Sequence, residues 1–469
     1  MTNRTAPAAP PAGRARPRIR GVPLLAAGAA FLGMLDATVT NLAVPGLRED
    51  FPGASLAGLT WVITLYAVLF AALLAPAGRL ADVAGRRALF QAGVGLFTLA
   101  SLACAVAPGL GALLTARGVQ GAAAAAMIPA SLAVLLHDTE PERRAAAIGL
   151  WSAAGAFAAA IGPAVGGLLV DALGWRSLFL INIPVGVAML LGGLRLPRAT
   201  GSGGRRPDLL GTALLGGGIG ALALGVTQTR DWTWTDARTL GLLAAGAAMV
   251  ALAVTRSVRH PVPALEISLW RSRPFALTNA VSFLYGTALY TWLLVGVLFL
   301  TGHWHYSVLK AGFASTPGAF TATAAAIVLG RLTSRIGTRP AVVGGALLML
   351  AAGIWCYAAL PDEPRFSTFW LPLGLLVGAG MGALSTGTAS AAALSVSPSR
   401  FAGATGLNTT ARQLGGALGI AALAALLPAD AGRSDYATVY LFCTLAAGGA
   451  AIAGLWSGVR PPSAERGPR

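Results

Sequence analysis

Apolar residues in this chain run in long blocks separated by short polar stretches, without the one-on, one-off alternation of strand positions. Fourteen blocks are readable, at 22–45, 58–77, 87–107, 110–136, 144–170, 178–195, 209–228, 239–257, 275–300, 312–330, 340–359, 369–397, 402–428 and 438–458. A helix advances about 1.5 Å per residue and needs about 20 apolar residues to cross the hydrocarbon of a bilayer. Backbone in lipid must satisfy its own hydrogen bonds, and without a period of two a β-barrel is excluded. The pattern predicts an all-α multi-pass membrane protein with fourteen transmembrane helices joined by polar loops.

Two stretches return later in the chain. "GRLADVAGRR" beginning at Gly78 is echoed by "GRLTSRIGTR" at Gly330. "RAAAIGLWSAAG" after the fourth block parallels "RFAGATGLNTTARQ" after the twelfth, with Gly149 and Gly406 in step. The near-equal offsets predict two related six-helix bundles, at 21–196 and 275–460. Repeated halves around a central binding site are a recurring transporter architecture. Residues 197–274 then read as a linker, "PRATGSGGRRPD", followed by an extra transmembrane hairpin. Residues 1–20, rich in Pro, Ala and Arg, predict a disordered basic N-terminal tail, and 461–469 a polar tail. The 61 glycines suit helices that approach closely in lipid.

Composition narrows the field. The 469 residues are 55% hydrophobic and 11% charged, with a mean hydropathy of +0.70, which excludes an ordinary soluble domain. The formal net charge of +17 would suit a nucleic-acid binder. Its distribution says otherwise, because most basic residues fall on the side where an N-terminus placed in the cytoplasm puts them, as the positive-inside rule requires. Arg14, Arg16, Arg18 and Arg20 precede the first block and set this orientation, within reach of anionic lipid head groups. An even number of spans returns Arg460, Arg466 and Arg469 to the same side, so both termini are expected to be cytoplasmic. The first block is too long for a cleaved signal core and carries Asp36. Cys104, Cys356 and Cys443 lie far apart in apolar blocks, and the four histidines lie in or beside loops, so neither a disulfide nor a metal site is expected. The single lysine, Lys310, leaves no phosphate-cradling Walker motif. No cofactor and no enzymatic activity are implied.

Asp36 is the one acid placed deep in a predicted span. A carboxylate at the bilayer centre costs at least about 2.5 kcal/mol to insert, so such a residue pairs, takes a proton or lines a wet cavity. Asp36 reads either as a proton site or as a structural partner of Thr38, Asn41 or an arginine. Arg117 lies in the fourth block with Gln120 on the same helix face. Arg412 lies in the thirteenth, four residues after Asn408. Each arginine has either a transport or a structural role. Asn279, Tyr285 and Tyr290, with Tyr66 and Trp292, lie on spans able to line a cavity, where aromatic faces suit a cation. They serve equally as packing or interface anchors, the better reading for Trp292. In the stretch after the second block, Gly78, Asp82, Gly85, Arg86 and Arg87 have the spacing of a turn with a charge cluster, in which Asp82 is able to meet the N-terminus of a neighbouring helix. "GPAVGG" supplies Gly162, Pro163, Gly166 and Gly167, a kinked and thinned helix surface.

These segments resemble a known family. "LDATVTNLAVP" (35–45), "GRLADVAGRR", "RGVQG" (117–121), "GPAVGG", "WRSLFLINIPVG" (175–186) and "NTTARQLGGALG" (408–419) are similar, in order, to the major facilitator superfamily. The closer resemblance is to its fourteen-span drug:proton antiporter branch. The resemblance implies a major facilitator fold working by alternating access. It implies that Asp36 and Arg117 take part in proton coupling, that Gly78, Asp82, Gly85, Arg86 and Arg87 form a conformational latch, and that Gly162, Pro163, Gly166 and Gly167 form the antiporter signature. The chain departs from the pattern in having Ala158 for a glycine, Val83 for an arginine, and Ser334 where an acid would parallel Asp82. The expected latch is therefore one-sided.

The implied function is proton-coupled efflux of lipophilic or cationic drugs by a monomer in the cell membrane, with protons and membrane lipids as its other partners. The alternatives are export of a self-made metabolite or lipid, proton symport, and a non-transporting receptor or scaffold.

Overall fold

The computed structural model describes residues 21–54, 56–196, 208–228, 232–428 and 431–457. The basic tail, most of the linker and the C-terminal tail lie outside the described residues. The first half consists of α1 (Val22–Val39), α2 (Leu56–Ala84), α3 (Arg86–Ala105), α4 (Leu110–Asp138), α5 (Arg144–Leu173) and α6 (Asn182–Gly193). An inserted pair follows, α7 (Leu209–Thr227) and α8 (Ala237–Arg259). The second half comprises α9 (Arg273–Leu298), α10 (Val308–Ile336), α11 (Arg339–Ala359), α12 (Leu371–Leu394), α13 (Phe401–Leu426) and α14 (Arg433–Trp456). No strand occurs among the described residues.

Twelve helical stretches among the described residues are long and apolar enough to cross a membrane. Two helices at predicted spans fall outside that set. The block at 178–195 is divided: a turn at Ser177–Leu180 precedes α6, which starts at the buried Asn182 with Pro184 in its first turn. The other is α13, which is 26 residues long but interrupts its apolar run with Asn408, Thr409, Thr410, Arg412 and Gln413.

The halves meet along two seams, α2 against α13 and α5 against α10. The repeated glycines lie at these seams and pack crosswise. A methyl group on Gly78 would sit 2.4 Å from the carbonyl of Ala402, and one on Gly406 would sit 2.5 Å from that of Leu74. At the other seam, one on Gly149 would come within 2.6 Å of the Ala326 carbonyl and 2.7 Å of the Gly330 Cα. Each sequence repeat thus presses against the counterpart of the other, and only glycine permits that approach.

The stretch read as a loop after the second block is mostly helix. Asp82 rides on the last turn of α2, and the break before α3 is Gly85 alone, at φ 115°. Gly337 makes the equivalent break after α10, at φ 82°. Left-handed backbone of this kind favours glycine, so the chain reverses in minimal length at both places.

Helix α7 packs on α2 and, more lightly, on α13. Asp208 fastens the inserted pair: it caps α7 through the Gly211 amide at 2.9 Å and pairs with Arg256 in the last turn of α8 at 2.7 Å. The second half has its own aromatic core, with Trp292, Phe299, Trp304, Trp370, Tyr436 and Tyr440 all buried. Trp292 packs edge-on against Tyr440 at 4.8 Å, a core contact.

Candidate functional site

Four elements of the first half converge on Asp36, which is completely buried in α1. Helix α4 makes the approach from one side. Its stretch "RGVQGAAAAA" is small enough for the backbones of α2 and α4 to close together, and a methyl on Gly121 would sit 2.5 Å from the Tyr66 carbonyl. Arg117 Nη1 donates to Asp36 Oδ2 at 2.7 Å and to Gln120 Oε1 at 2.7 Å, while its Nε donates to the Val62 carbonyl at 2.9 Å. Gln120 Nε2 donates to Asp36 Oδ1 at 2.8 Å and to Ser101 Oγ at 2.7 Å. Asn182 Nδ2, at the start of α6, donates to the same Oδ1 at 2.9 Å and to the same serine at 3.0 Å. The ring of Tyr66 lies under the guanidinium, 4.3 Å from its carbon, and Phe179 flanks it at 5.6 Å.

Three donors therefore serve the two carboxylate oxygens, an arrangement that suits an ionised carboxylate. Oδ1 accepts two of these donors and Oδ2 one, which occupies three of the carboxylate's four acceptor positions. Low dielectric strengthens each of these bonds and makes removing one partner expensive, about 3–5 kcal/mol for a buried ion pair. Thr38 and Asn41, the neighbours that the sequence offered, are not partners. Thr38 bonds back to the carbonyls of Met34 and Leu35, and Asn41 is exposed and bonds to those of Ala37 and Thr38.

Among the described residues, the second half has no buried carboxylate held in this way. Asn279 gives Nδ2 to the Phe275 carbonyl at 2.8 Å, and its Oδ1 is buried without a partner. Tyr285 donates to the Met381 carbonyl at 3.0 Å, Tyr290 to Gln413 Oε1, and Asn408 to Ser282 Oγ at 2.6 Å. The Nε of Arg412 is buried without an acceptor. Thr291, Thr386, Ser390 and Thr410 also bury hydroxyls without partners.

A third cluster lies where α2 meets α13. Asp82 Oδ2 accepts from the Gly403 amide at 2.7 Å, and Oδ1 from that of Ala402 at 3.3 Å. Both amides belong to the first turn of α13, where the helix dipole favours an anion. Arg86 pairs with Asp82 at 3.0 Å and also donates to the carbonyl of Pro398 in the other half. Arg87 turns away, to the Leu194 carbonyl at 2.8 Å. Beside them, Glu266, in the segment that returns from the inserted pair, spans the seam. It meets Arg79 of α2 at 3.3 Å and Arg400, just before α13, at 3.0 Å.

Gly162 and Gly166 line the contact between α5 and α1. A methyl on Gly162 would meet Thr38 Oγ1 at 2.3 Å, and one on Gly166 would meet Leu42 at 2.7 Å. Nothing crowds Gly167, and Pro163 is exposed inside α5. Three participants escaped the sequence reading: Asn182, Ser101 and Glu266. An asparagine inside an apolar run was the available signal for Asn182. For Ser101 there was none, since serine is common in membrane helices.

The major facilitator superfamily profile matches residues 26–203 and 276–469, leaving out the inserted pair. The multidrug resistance protein Stp of Mycobacterium tuberculosis is 34% identical over 402 residues, covering 85% of this chain and 74% of that protein. The puromycin resistance protein pur8 of Streptomyces alboniger is 37% identical over 429 residues, 88% of this chain and 84% of its own length. Among solved structures, the crystal structure of the human organic anion transporter MFSD10 (TETRAN) superposes with a TM-score of 0.63 at 16% identity. It covers 91% of this chain and 98% of that one, a likeness of fold.

Proposed function

This chain belongs to the major facilitator superfamily, and on that premise we propose that it is a proton-coupled drug-efflux transporter of the fourteen-span antiporter branch. Two relatives named for drug resistance support the efflux reading. The observation that carries the proton reading is the buried Asp36–Arg117 pair at 2.7 Å. In this reading α6 and α13 cross the membrane with the twelve apolar stretches, the six-helix bundles occupy 21–196 and 275–460, and the inserted pair lies between them. The protein is a monomer in the cell membrane with both termini in the cytoplasm, and the Asp82 face is cytoplasmic.

The geometry supports the following cycle. With Asp36 ionised and held by Arg117, Gln120 and Asn182, the first half is in its proton-free form. Proton entry releases Arg117, which must then find acceptors elsewhere, and this biases how the bundles lie against each other. Asp82, seated on the first turn of α13, holds the cytoplasmic side shut, and opening that side requires it to leave those amides. One proton entering down 100 mV supplies about 2.3 kcal/mol for each turn of the cycle.

The test is transport in inverted membrane vesicles. Adding a transported dye should release protons in the wild type, and Asp36→Asn should abolish that release. Coupling retained in Asp36→Asn would refute the assignment. Uptake instead of export would favour a symporter, and ligand binding with no flux a receptor.

A further inference from the structure

We infer that Arg412 is the counter-charge for an anionic group on the substrate, a carboxylate or an ionised phenol, and this inference rests on the efflux reading above. Three acidic or basic side chains lie deep in the membrane helices among the described residues: Asp36, Arg117 and Arg412. The first two neutralise each other at 2.7 Å. That leaves one uncompensated positive charge, and no carboxylate free to receive a cation.

Several polar side chains of α9 and α13 are engaged with groups other than Arg412. The side-chain carbonyl of Gln413 takes the hydroxyl of Tyr290, the Tyr285 hydroxyl is spent on the Met381 carbonyl, and Asn408 bonds Ser282. No ion pair or hydrogen bond to the Arg412 guanidinium occurs among the described residues, and its Nε is sealed without an acceptor. The residue is nevertheless only half-buried, so the guanidinium is not closed off.

Its place on the helix is fixed by the backbone. A methyl on Gly286 would sit 2.0 Å from the Arg412 carbonyl, so the arginine emerges at the contact of α13 with α9. The tyrosines Tyr285 and Tyr290 stand on α9, and the Tyr290 ring packs against Gly416, one turn along α13 from Arg412.

An isolated guanidinium in a membrane helix is unfavourable and repels a second cation. The same group offers a planar fork of donors that matches a carboxylate. A binding site that supplies donors and aromatic edges but no acid selects an anion with an apolar body. Exchange then differs from the cationic case. An anion leaving against an entering proton moves two charges down an inside-negative potential, whereas a cation leaving against one proton moves none.

Carboxyfluorescein, an anionic dye, and ethidium, a cationic one, separate the possibilities. Binding to purified protein is read by fluorescence polarisation, and flux by dye accumulation in inverted vesicles under an imposed potential. The wild type should bind and export carboxyfluorescein, with a rate that rises with the potential. Arg412→Gln should weaken that binding about tenfold or more, the scale of a lost charge-assisted bond. Arg412→Lys should recover part of it, which separates charge from folding. Carboxyfluorescein binding that survives Arg412→Gln, or wild-type binding of ethidium alone, overturns the inference and leaves the efflux reading standing. Arg412-dependent carboxyfluorescein binding without flux keeps the inference and removes the efflux reading.

Discussion

The two halves share a helical plan and differ in their acids. The offset that takes Gly78 to Gly330 takes Asp36 to Ala288 and Asp82 to Ser334. Ala288 is fully buried, and Ser334 turns its hydroxyl back onto the Arg331 carbonyl at 2.7 Å. In the first half each of these acids is held: Asp36 by Arg117, Gln120 and Asn182, and Asp82 by Arg86 and the first amides of α13. The second half keeps an arginine with no acid and several buried hydroxyls with no partner. The first half therefore leaves neither acid without donors, although Asp82 draws its two amides from α13 of the second half. Buried polar atoms without partners occur in both halves, as at Ser152 and Asn182 of the first, but among the described residues the unpaired arginine deep in a span belongs to the second.

The largest expected effect concerns the two arginines. Arg117→Ala strands the Asp36 carboxylate in the bundle and is expected to destabilise the protein by about 3–5 kcal/mol, as breaking a buried pair does. Arg412→Met removes a cation that had no partner, so its effect is expected to stay within about 1 kcal/mol. Denaturant unfolding in detergent measures both, and equal losses would erase the distinction between the halves. Removing both charges of the first pair, in Asp36→Asn with Arg117→Gln, should destabilise less than Arg117→Ala, because no lone charge remains.

Next come the two acids' positions at the seams. Asp82→Asn loses the charge that two helix-terminal amides and Arg86 hold, with an expected effect of about 1–3 kcal/mol. The readout is hydrogen exchange at the amides of Ala402 and Gly403, which should accelerate. Ser334→Ala at the equivalent position is expected to change stability and exchange by no more than about 0.5 kcal/mol. A comparable effect from both would erase the difference between the two positions.

Much of this division was legible from residue types alone. A carboxylate in an apolar block stands out in any membrane sequence, and Asp36, Arg117 and Gln120 were visible for that reason. The repeat glycines gave two halves, although their crosswise contact belongs to tertiary packing and leaves no mark along the chain. Asp82 was placed in a loop because Gly and Arg read as turn residues, whereas a one-residue break at Gly85 lets α2 run on to Ala84. The polar stripe on α13 hid how strongly that helix departs from an apolar span. Ser101 barely disturbs a hydropathy pattern, Asn182 marks it with a single uncharged amide, and their meeting at Asp36 depends on the way α3 and α6 pack. Glu266 sits in a polar stretch where a carboxylate is unremarkable, until the fold brings Arg79 and Arg400 to either side of it.

Glu266 provides the smallest effect, and one that tests the division directly. Its carboxylate reaches Arg79 of the first half at 3.3 Å and Arg400 of the second at 3.0 Å, and Arg79 also donates to the Pro263 carbonyl at 3.1 Å. It belongs to neither bundle. Arg400 is substantially exposed, so solvent screens that contact, and ion pairs of this kind are worth about 0.5–1 kcal/mol. Glu266→Gln keeps the size and one acceptor while removing the charge. Exchange at Ala402 and Gly403 is expected to rise only about two- to fivefold, well below the effect of Asp82→Asn. In the double variant the two effects should add, since Glu266 and Asp82 hold the start of α13 through different partners. If Glu266→Gln alone opened the seam as far as Asp82→Asn does, closure would rest on the segment returning from the inserted pair. Asp82 would then not be the principal group fastening the start of α13.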